Sequence, residues 1–566
     1  MAAAPLFPDA IDLVTRWFDS CDSSVAQRRL QDEQGQRCRS WQLSLLFPEL
    51  EGTHVSLVLP HDFPLKPARL ELDKRFCLRL PHIEADGNLC HGVVPHANDI
   101  DDPVSAVQRV LARFDEYVNM CRTPGWLEAE FHRERGDYWA RHAAATKAPA
   151  AYRTSELLLD VDVAAAHLLE QVPAIALAGG GRALATTGAA EPEALAKARG
   201  WPVGTIIRGS AAILKLPAAE RWTPSTWPRC FLQLDELVSQ LSGEPKWLST
   251  WLAGRWPNKA PLFVVLLQGT VAIGWRVMPA HFGRARHPVL LPLVVSRIDR
   301  QWSLCRDHEV AALNGLSSKT VAVFGAGSLG APVVEFLARS GVGTIDVVDP
   351  QTFEAENISR HRLGAHDVGA GKAEALRDTV LRDVPGAKIR AHPVCAATWL
   401  GMAGRGQPDL VIDCSGEAAV RVLVSELRAT VLGGAAAMAA WMEPQCAAAH
   451  VVLTMGDASW PRTDPVETAI NIAQWPPELQ VQLPGCSRGF HPYGMADAAR
   501  AAGLVSERAL AVLKGQVSES AVWSLVRNRR YFVDVTPQVR FNRNPPDDDE
   551  VESLTLRRPW SEVAGQ

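Results

Sequence analysis

At 566 residues the chain exceeds what one hydrophobic core supports, and about three or four domains are expected. Its 58 basic and 63 acidic residues leave a net charge of -5, which gives no electrostatic basis for nucleic-acid binding. Eleven scattered cysteines without a CxxC pair argue against a disulfide framework and against structural zinc. The N-terminus lacks the basic lead-in of a signal peptide, and no run of about 18 apolar residues suggests a membrane span. A reduced, cytoplasmic protein is expected.

The first segment, 1–148, orders as helix, strands, loop and helices, an α+β unit. Residues 9–20 carry a helical pattern, and 41–47 and 54–59 read as strands. FPLKPARLEL at 63–72 is a proline-rich crossing, and the loop after it ends in NLCHG, which contains Cys90. PVSAVQRVLARFDEYVNM and WLEAEFHRERGDYWARH then space apolar residues as helices do. The second segment, 149–290, is expected to be a folded linker domain of mixed structure. In it, ALAGGGRALATTGAA reads as loop or turn and LFVVLLQ as a strand. The third segment, 291–566, alternates strand and helix through VAVFG, SLGAPVVEFLARS, TIDVVD, KAEALRDTVLRDV and DLVIDCSG. That order predicts a Rossmann-like parallel sheet with helices on both faces, so the whole chain reads as multidomain α/β. The acidic, proline-bearing stretch from Asn544 predicts a mobile C-terminus.

Gly325, Gly327 and Gly330 form GxGxxG between a strand and a helix, where backbone can approach phosphates at a helix N-terminus. Asp349 ends the next strand, as a ribose-binding carboxylate does. These features alone suit a dinucleotide-binding dehydrogenase equally well. The flanking charges separate the two readings. Arg300, Arg360 and Lys372 supply more cations than hydride transfer requires, whereas nucleotidyl transfer must neutralise a departing pyrophosphate. Asp413, at a strand end, suits Mg²⁺, which takes oxygen ligands and bridges phosphates. Arg297 reads as a surface ion-pair partner, and Arg421 as a solvated helical residue outside the site.

Residues 297–421 resemble the ThiF-type adenylating core of ubiquitin-activating enzymes and of the molybdopterin- and thiamine-pathway adenylyltransferases. RIDRQ is similar to that family's RYxRQ, which implies that Arg300 reaches into a partner subunit's site across a homodimer. GAGSLG is similar to GxGGLG, with Ser328 in place of a glycine. DPQTFEAENISRH is similar to DxDxVexsNLxRQ, although Gln351 replaces its second aspartate; the match implies Asp349 on ribose and Asn357 and Arg360 on phosphates. GAGK places Lys372 on phosphates. Asp413 corresponds to the magnesium-associated aspartate of DCTDN, with Gly416 and Glu417 replacing the rest. ATP and Mg²⁺ are therefore the implied cofactors.

A thioester-forming activator also needs a nucleophilic cysteine. Cys305, Cys395, Cys414, Cys446 and Cys486 are the candidates in this half. Cys414 and Cys446 lie in apolar stretches and read as buried. Cys486 lies in a glycine- and proline-rich loop near Arg488 and His491, where cations favour a thiolate. That segment resembles the catalytic-cysteine loop of bacterial activating enzymes fused to conjugating domains.

At the other end, residues 41–120 resemble ubiquitin-conjugating enzymes. FPLKPARLEL is similar to YPFKPPKVxF, and the run from Leu80 to Cys90 is similar to HPNIxxxGxIC with the same spacing to the cysteine. The resemblance implies Cys90 as the acyl-carrying thiol. His82 replaces the asparagine linked with oxyanion stabilisation, so either a catalytic or a loop-fixing role is open to it. The order conjugating, linker, activating resembles the fused proteins of bacterial antiphage operons, closest to those of CBASS systems. The resemblance implies activation of the C-terminus of a cGAS/DncV-like nucleotidyltransferase and its conjugation to an amine on a protein or small molecule. A ubiquitin-like protein as acyl donor, adenylation of a sulfur-carrier protein, and a non-enzymatic scaffold are the alternatives.

Overall fold

The computed structural model describes residues 6–21, 26–29, 40–43, 54–146, 154–161, 169–179, 181–186, 191–203, 208–255, 260–278, 287–304, 315–384, 386–404, 406–481, 491–547 and 550–564. They divide into two compact units. One comprises Met1–Leu159, Ala165–Pro192 and Val203–Ser296; the other Asp160–Ala164, Glu193–Pro202 and Arg297–Gln566.

In the first unit, strands Ala26–Arg29, Ser40–Leu43, Val55–Val58 and Arg69–Glu71 pair antiparallel in chain order. Alternation buries Trp41, Leu43, Val55, Leu57 and Leu70 on one face. Helix Pro8–Ser20 covers that face with Ile11, Val14 and Phe18. Helix Pro103–Arg122 adds Val107, Val110 and Phe114 to the same core. Its start is fixed by Pro103 in the first turn and by the Asp102 carboxylate, which accepts from Ser105 N–H.

The same unit contains a closed seven-stranded barrel built from Glu156–Asp160, Leu169–Ala176, Arg182–Thr186, Arg208–Lys215, Leu262–Gln268, Val271–Met278 and Val289–Arg297. LFVVLLQ is its most buried strand, as its apolar run predicts. The alanine- and glycine-rich stretch departs from the expectation of a loop. Leu169–Ala176 and Arg182–Thr186 pair antiparallel, and residues 178–179 between them turn. Ala183 and Ala185 are buried there, as are Ala211 and Ala212 two strands away. Tertiary packing outweighs their weak strand propensity. Helices Trp126–Arg133 and Arg135–Ala145 bury Phe131, Tyr138 and Trp139 in the core that carries Trp222, Trp227 and Trp275.

The second unit is an eight-stranded sheet with helices. Ile389–His392, Thr344–Val348, Thr320–Phe324, Leu410–Asp413 and Ala436–Met442 run parallel in that order. Ala448–Thr454, Ala521–Arg527 and Ser553–Pro559 continue it antiparallel. The last strand corrects the expectation of a mobile C-terminus: SLTLRRP lies in register along Ala521–Arg527, and Trp560 beyond it is buried. Beneath the antiparallel half, the fully buried Glu443 carboxylate accepts from Ile472 N–H, Ala473 N–H, Trp475 Nε1–H and His450 Nε2. Glu443→Ala orphans these groups and is expected to cost about 3–5 kcal/mol, read as a lowered urea midpoint. A loss under about 1 kcal/mol would show that the hub is dispensable.

Candidate functional site

The glycine turn links strand Thr320–Phe324 to helix Gly330–Arg339. Its three glycines answer different constraints. Gly325 has φ +86°, and a Cβ there would lie 2.9 Å from Ser415 backbone. A Cβ at Gly330 would lie 1.9 Å from Gly325 carbonyl oxygen. Around Gly327 a Cβ would meet nothing within 4 Å, so only a ligand would feel it. Between the outer two, Ala326 is gripped through both backbone groups. Its N–H donates to Asp349 Oδ2 at 2.7 Å, and its carbonyl accepts from His361 Nε2 at 2.6 Å. The tautomer of His361 follows, because Nδ1 accepts from Leu363 N–H. Burial lowers the pKa of this histidine. Asp349 also accepts from Gln351 N–H, so both its oxygens hold backbone at the rim of the cavity.

That cavity, about 350 Å³, is lined by Gly325, Gly327, Asp349, Gln351, Cys395, Ser415 and Val420, among others. Lys372, at the start of helix Lys372–Asp383, is buried and donates to Gln351 Oε1 at 2.8 Å. Burial lowers its pKa. Gln351, which departs from the family pattern, thus holds the lysine by its neutral amide. Asn357 Oδ1 accepts from Glu354 N–H within the turn Ala355–Arg360. The Arg360 guanidinium lies over the Tyr493 ring, and Tyr493 Oη is 2.5 Å from Ser328 Oγ.

Asp413 ends strand Leu410–Asp413 beside the turn and is buried. Ser415 donates to Oδ1 through both N–H and Oγ–H, while among the described residues Oδ2 accepts no hydrogen bond. Burial raises this carboxyl to about 6. One carboxylate oxygen left over, next to Cys414 and Ser415 of the cavity wall, fits a magnesium ligand, since that ion takes few protein oxygens and keeps substrate ones.

Two sequence expectations, on Arg421 and Arg297, are revised here. Arg421 is buried, not solvated: it pairs with Asp464 at 2.7 Å and lies against Trp441 and Trp460. Arg297 is buried in a bidentate pair with Asp299, not on the surface. Cys395 is exposed at the cavity wall, and hydrogen bonding from Thr398 lowers its thiol pKa. Arg300 donates to the Gly341 and Val342 carbonyls of its own chain, just beyond helix Gly330–Arg339. Cys446 is buried, as expected, and Cys414 is partly so; burial raises both thiols. Cys305, Cys486 and Arg488 lie outside the described residues.

In the first unit, Cys90 is exposed on its loop. Its N–H donates to the His82 carbonyl at 2.8 Å. His82 adopts left-handed backbone, φ 62°, and its own N–H donates to Tyr138 Oη. The ring points at carboxylates: Nε2 is 2.8 Å from Glu130 and Nδ1 3.4 Å from Glu134. This geometry suits a loop-fixing role better than an oxyanion donor, because both ring nitrogens are engaged. His82, Glu130 and Glu134 also have the donor chemistry of a divalent-ion site. Arg133 already bridges the two carboxylates, and that bonding lowers the Glu130 pKa. On the far side of the thiol, His91 Nε2 donates to the Ala68 carbonyl, its Nδ1 accepting from Val93 N–H. Gly87 closes the loop at φ +92°, and a Cβ there would lie 2.2 Å from the Leu72 carbonyl oxygen. Tyr138, Glu130, His361 and Tyr493 escaped the sequence reading because each partner is 35 to 165 residues distant.

Residues 298–445 match the ThiF family model, and residues 14–147 match Prokaryotic E2 family B. The chain carries a ThiF domain and a prokaryotic E2 domain. The ATP-dependent ubiquitin transferase-like protein Cap2 of Pseudomonas aeruginosa is 36% identical over 132 residues, 23% of each chain. The probable adenylyltransferase/sulfurtransferase MoeZ of Mycobacterium tuberculosis is 38% identical over 120 residues, 21% of this chain and 30% of that one. The chain thus aligns with less than a third of either relative's length. Among solved structures, E. coli MccB with ATP aligns at 14% identity and a TM-score of 0.31, covering 44% of this chain and 67% of that one. Among the described residues no helix is long and apolar enough to cross a membrane.

Two outcomes test the turn. Gly327→Ala is expected to leave the melting temperature within about 2 °C while weakening ATP binding at least tenfold, whereas Gly330→Ala lowers the melting temperature by several degrees. Equal losses of stability in the two would contradict the division of labour. His361 binds a proton less readily folded than unfolded, so its contribution is complete above its unfolded pKa of about 6.5 and is lost as pH falls below it. His361→Gln is expected to flatten the fall in melting temperature between pH 7.5 and 5.5; an unchanged slope would exclude His361 as its source.

Proposed function

We propose that this chain activates a protein C-terminus with ATP, carries it as a thioester on Cys486 and then on Cys90, and delivers it to an amine. The observation that carries the reading is the pairing, on one chain, of an E2 domain with an exposed Cys90 and a ThiF domain whose glycine turn opens at Gly327 beside buried Lys372. The names of Cap2 and MoeZ support ATP chemistry, and that of Cap2 supports transfer.

The acyl donor's carboxylate attacks the α-phosphorus of ATP, the bond to the β-phosphate oxygen breaks, and pyrophosphate leaves. Lys372 and Arg360 neutralise the phosphates, and helix Gly330–Arg339 turns its N-terminus toward them. Asp349, Asn357 and the glycines seat the nucleotide. Asp413 holds Mg²⁺, which when bound neutralises phosphate charge. The Cys486 thiolate then attacks the acyl carbon and AMP leaves. Cys90 attacks that thioester and Cys486 leaves as thiolate. An amine finally displaces Cys90, forming an amide and giving its proton to solvent. Each exchange replaces one hard acylation with easier ones. His82 holds the Cys90 loop. The acyl donor is a cGAS/DncV-like nucleotidyltransferase of a CBASS antiphage operon, and the working form is a cytoplasmic homodimer in which Arg300 serves the partner's site.

Purification of Cys90→Ser from a host carrying the neighbouring genes is expected to trap an acyl adduct at position 90 that mass spectrometry identifies. Cys486→Ala in the same background abolishes the adduct. Adenylation without an adduct at either position would favour a sulfur-carrier adenylyltransferase. A ubiquitin-like donor in the adduct would replace the proposed one. Mixing Arg300→Ala with Lys372→Ala protein is expected to restore about a quarter of ATP–pyrophosphate exchange if subunits shuffle at random, because one site in four is then intact on both sides. No restoration would count against the shared site.

A further inference from the structure

Tyr493 touches the phosphate side of the glycine turn twice. Its hydroxyl lies 2.5 Å from Ser328 Oγ, at the position where this chain departs from the family's glycine. Its ring lies under the Arg360 guanidinium, 5.6 Å from ring centroid to guanidinium carbon. The two contacts use different parts of one side chain, and they join Ser328 of the glycine turn to Arg360 of the turn Ala355–Arg360. Tyr493 itself is firmly based. It stands two residues before helix Met495–Leu513, which packs against helix Gly330–Arg339 and buries Ala498, Ala501 and Ala502. The tyrosine is thus carried by the neighbour of the helix whose N-terminus faces the phosphates. An aromatic face under a guanidinium restricts where the guanidinium carbon sits.

We propose that Tyr493 is a positioning residue for the terminal phosphates of a nucleoside triphosphate. Its ring sets Arg360 and its hydroxyl sets Ser328, so that both sides of the phosphate seat are arranged before the nucleotide arrives. The proposal rests on the adenylation reading above. It differs from a structural role in one respect: the loss on removing Tyr493 scales with the β- and γ-phosphates, not with the nucleoside.

The test measures dissociation constants of ATP and of AMP, in magnesium, on the full chain and on Tyr493→Phe, Tyr493→Leu, Arg360→Ala and the double variant Tyr493→Leu with Arg360→Ala. Thermal melts check that each is folded. Tyr493→Phe keeps the ring and is expected to weaken ATP about threefold; Tyr493→Leu loses both contacts and weakens it about tenfold, with AMP binding unchanged. Because the ring acts through Arg360 and the hydroxyl through Ser328, the double variant is expected to bind ATP about threefold, not tenfold, more weakly than Arg360→Ala alone. Equal weakening of ATP and AMP, unchanged ATP binding in Tyr493→Leu, or full additivity in the double variant would overturn the proposal. A parent chain that binds no ATP would instead overturn the adenylation reading on which it rests, an outcome visible before any variant is compared.

Discussion

One residue organises the nucleotide end of this protein. Ala326 is held at its N–H by Asp349 and at its carbonyl by His361, and the residues on either side inherit their positions from that grip. Gly325 is pressed against Ser415 and Gly330 against Gly325, so the turn has no slack in the directions away from solvent. Only Gly327 borders open space. A buried carboxylate and a neutral imidazole can grip the two amides that flank Ala326 because the first accepts from an N–H and the second donates to a carbonyl. The turn is preorganised, and preorganised donors are effective on charge because they need not reorganise when it develops.

The thiol end uses the same economy. Cys90 has few partners of its own; its backbone is held by His82, and His82 by Tyr138. Tyr138 in turn belongs to the aromatic core shared with the barrel. Rigidity is therefore borrowed from a large buried cluster and passed through two hydrogen bonds to an exposed loop, leaving the sulfur itself uncrowded. The barrel segment, the least informative part of the chain by sequence, acts here as foundation.

Local features were legible in the sequence and long-range ones were not. The glycine pattern, the strand and helix periods of the ThiF domain, and the spacing from His82 to Cys90 are all encoded within about thirty residues, and each is found where the pattern places it. The fate of Arg421 was not legible. Its helix looks amphipathic, yet Asp464 and two tryptophans close over it from elsewhere in the chain. The alanine-rich hairpin was missed because alanine and glycine carry no strand signal; a closed barrel supplies the packing that local propensity lacks. The tail was misread because acidity at 547–550 masks the alternation that follows it.

That last strand has a consequence for how molecules meet. Ser553–Pro559 is one rim of the eight-stranded sheet and Ile389–His392 the other. Unguarded rims offer backbone hydrogen bonds to any passing strand and invite end-to-end stacking of sheets. Here the first rim carries Arg557, Arg558 and a closing proline, and the second carries Arg390 tied to Asp346. Like charges brought rim to rim repel, and proline lacks the donor a new neighbour would need. Both rims of the sheet thus end in arginines and, on one side, a proline, features that disfavour the addition of another strand.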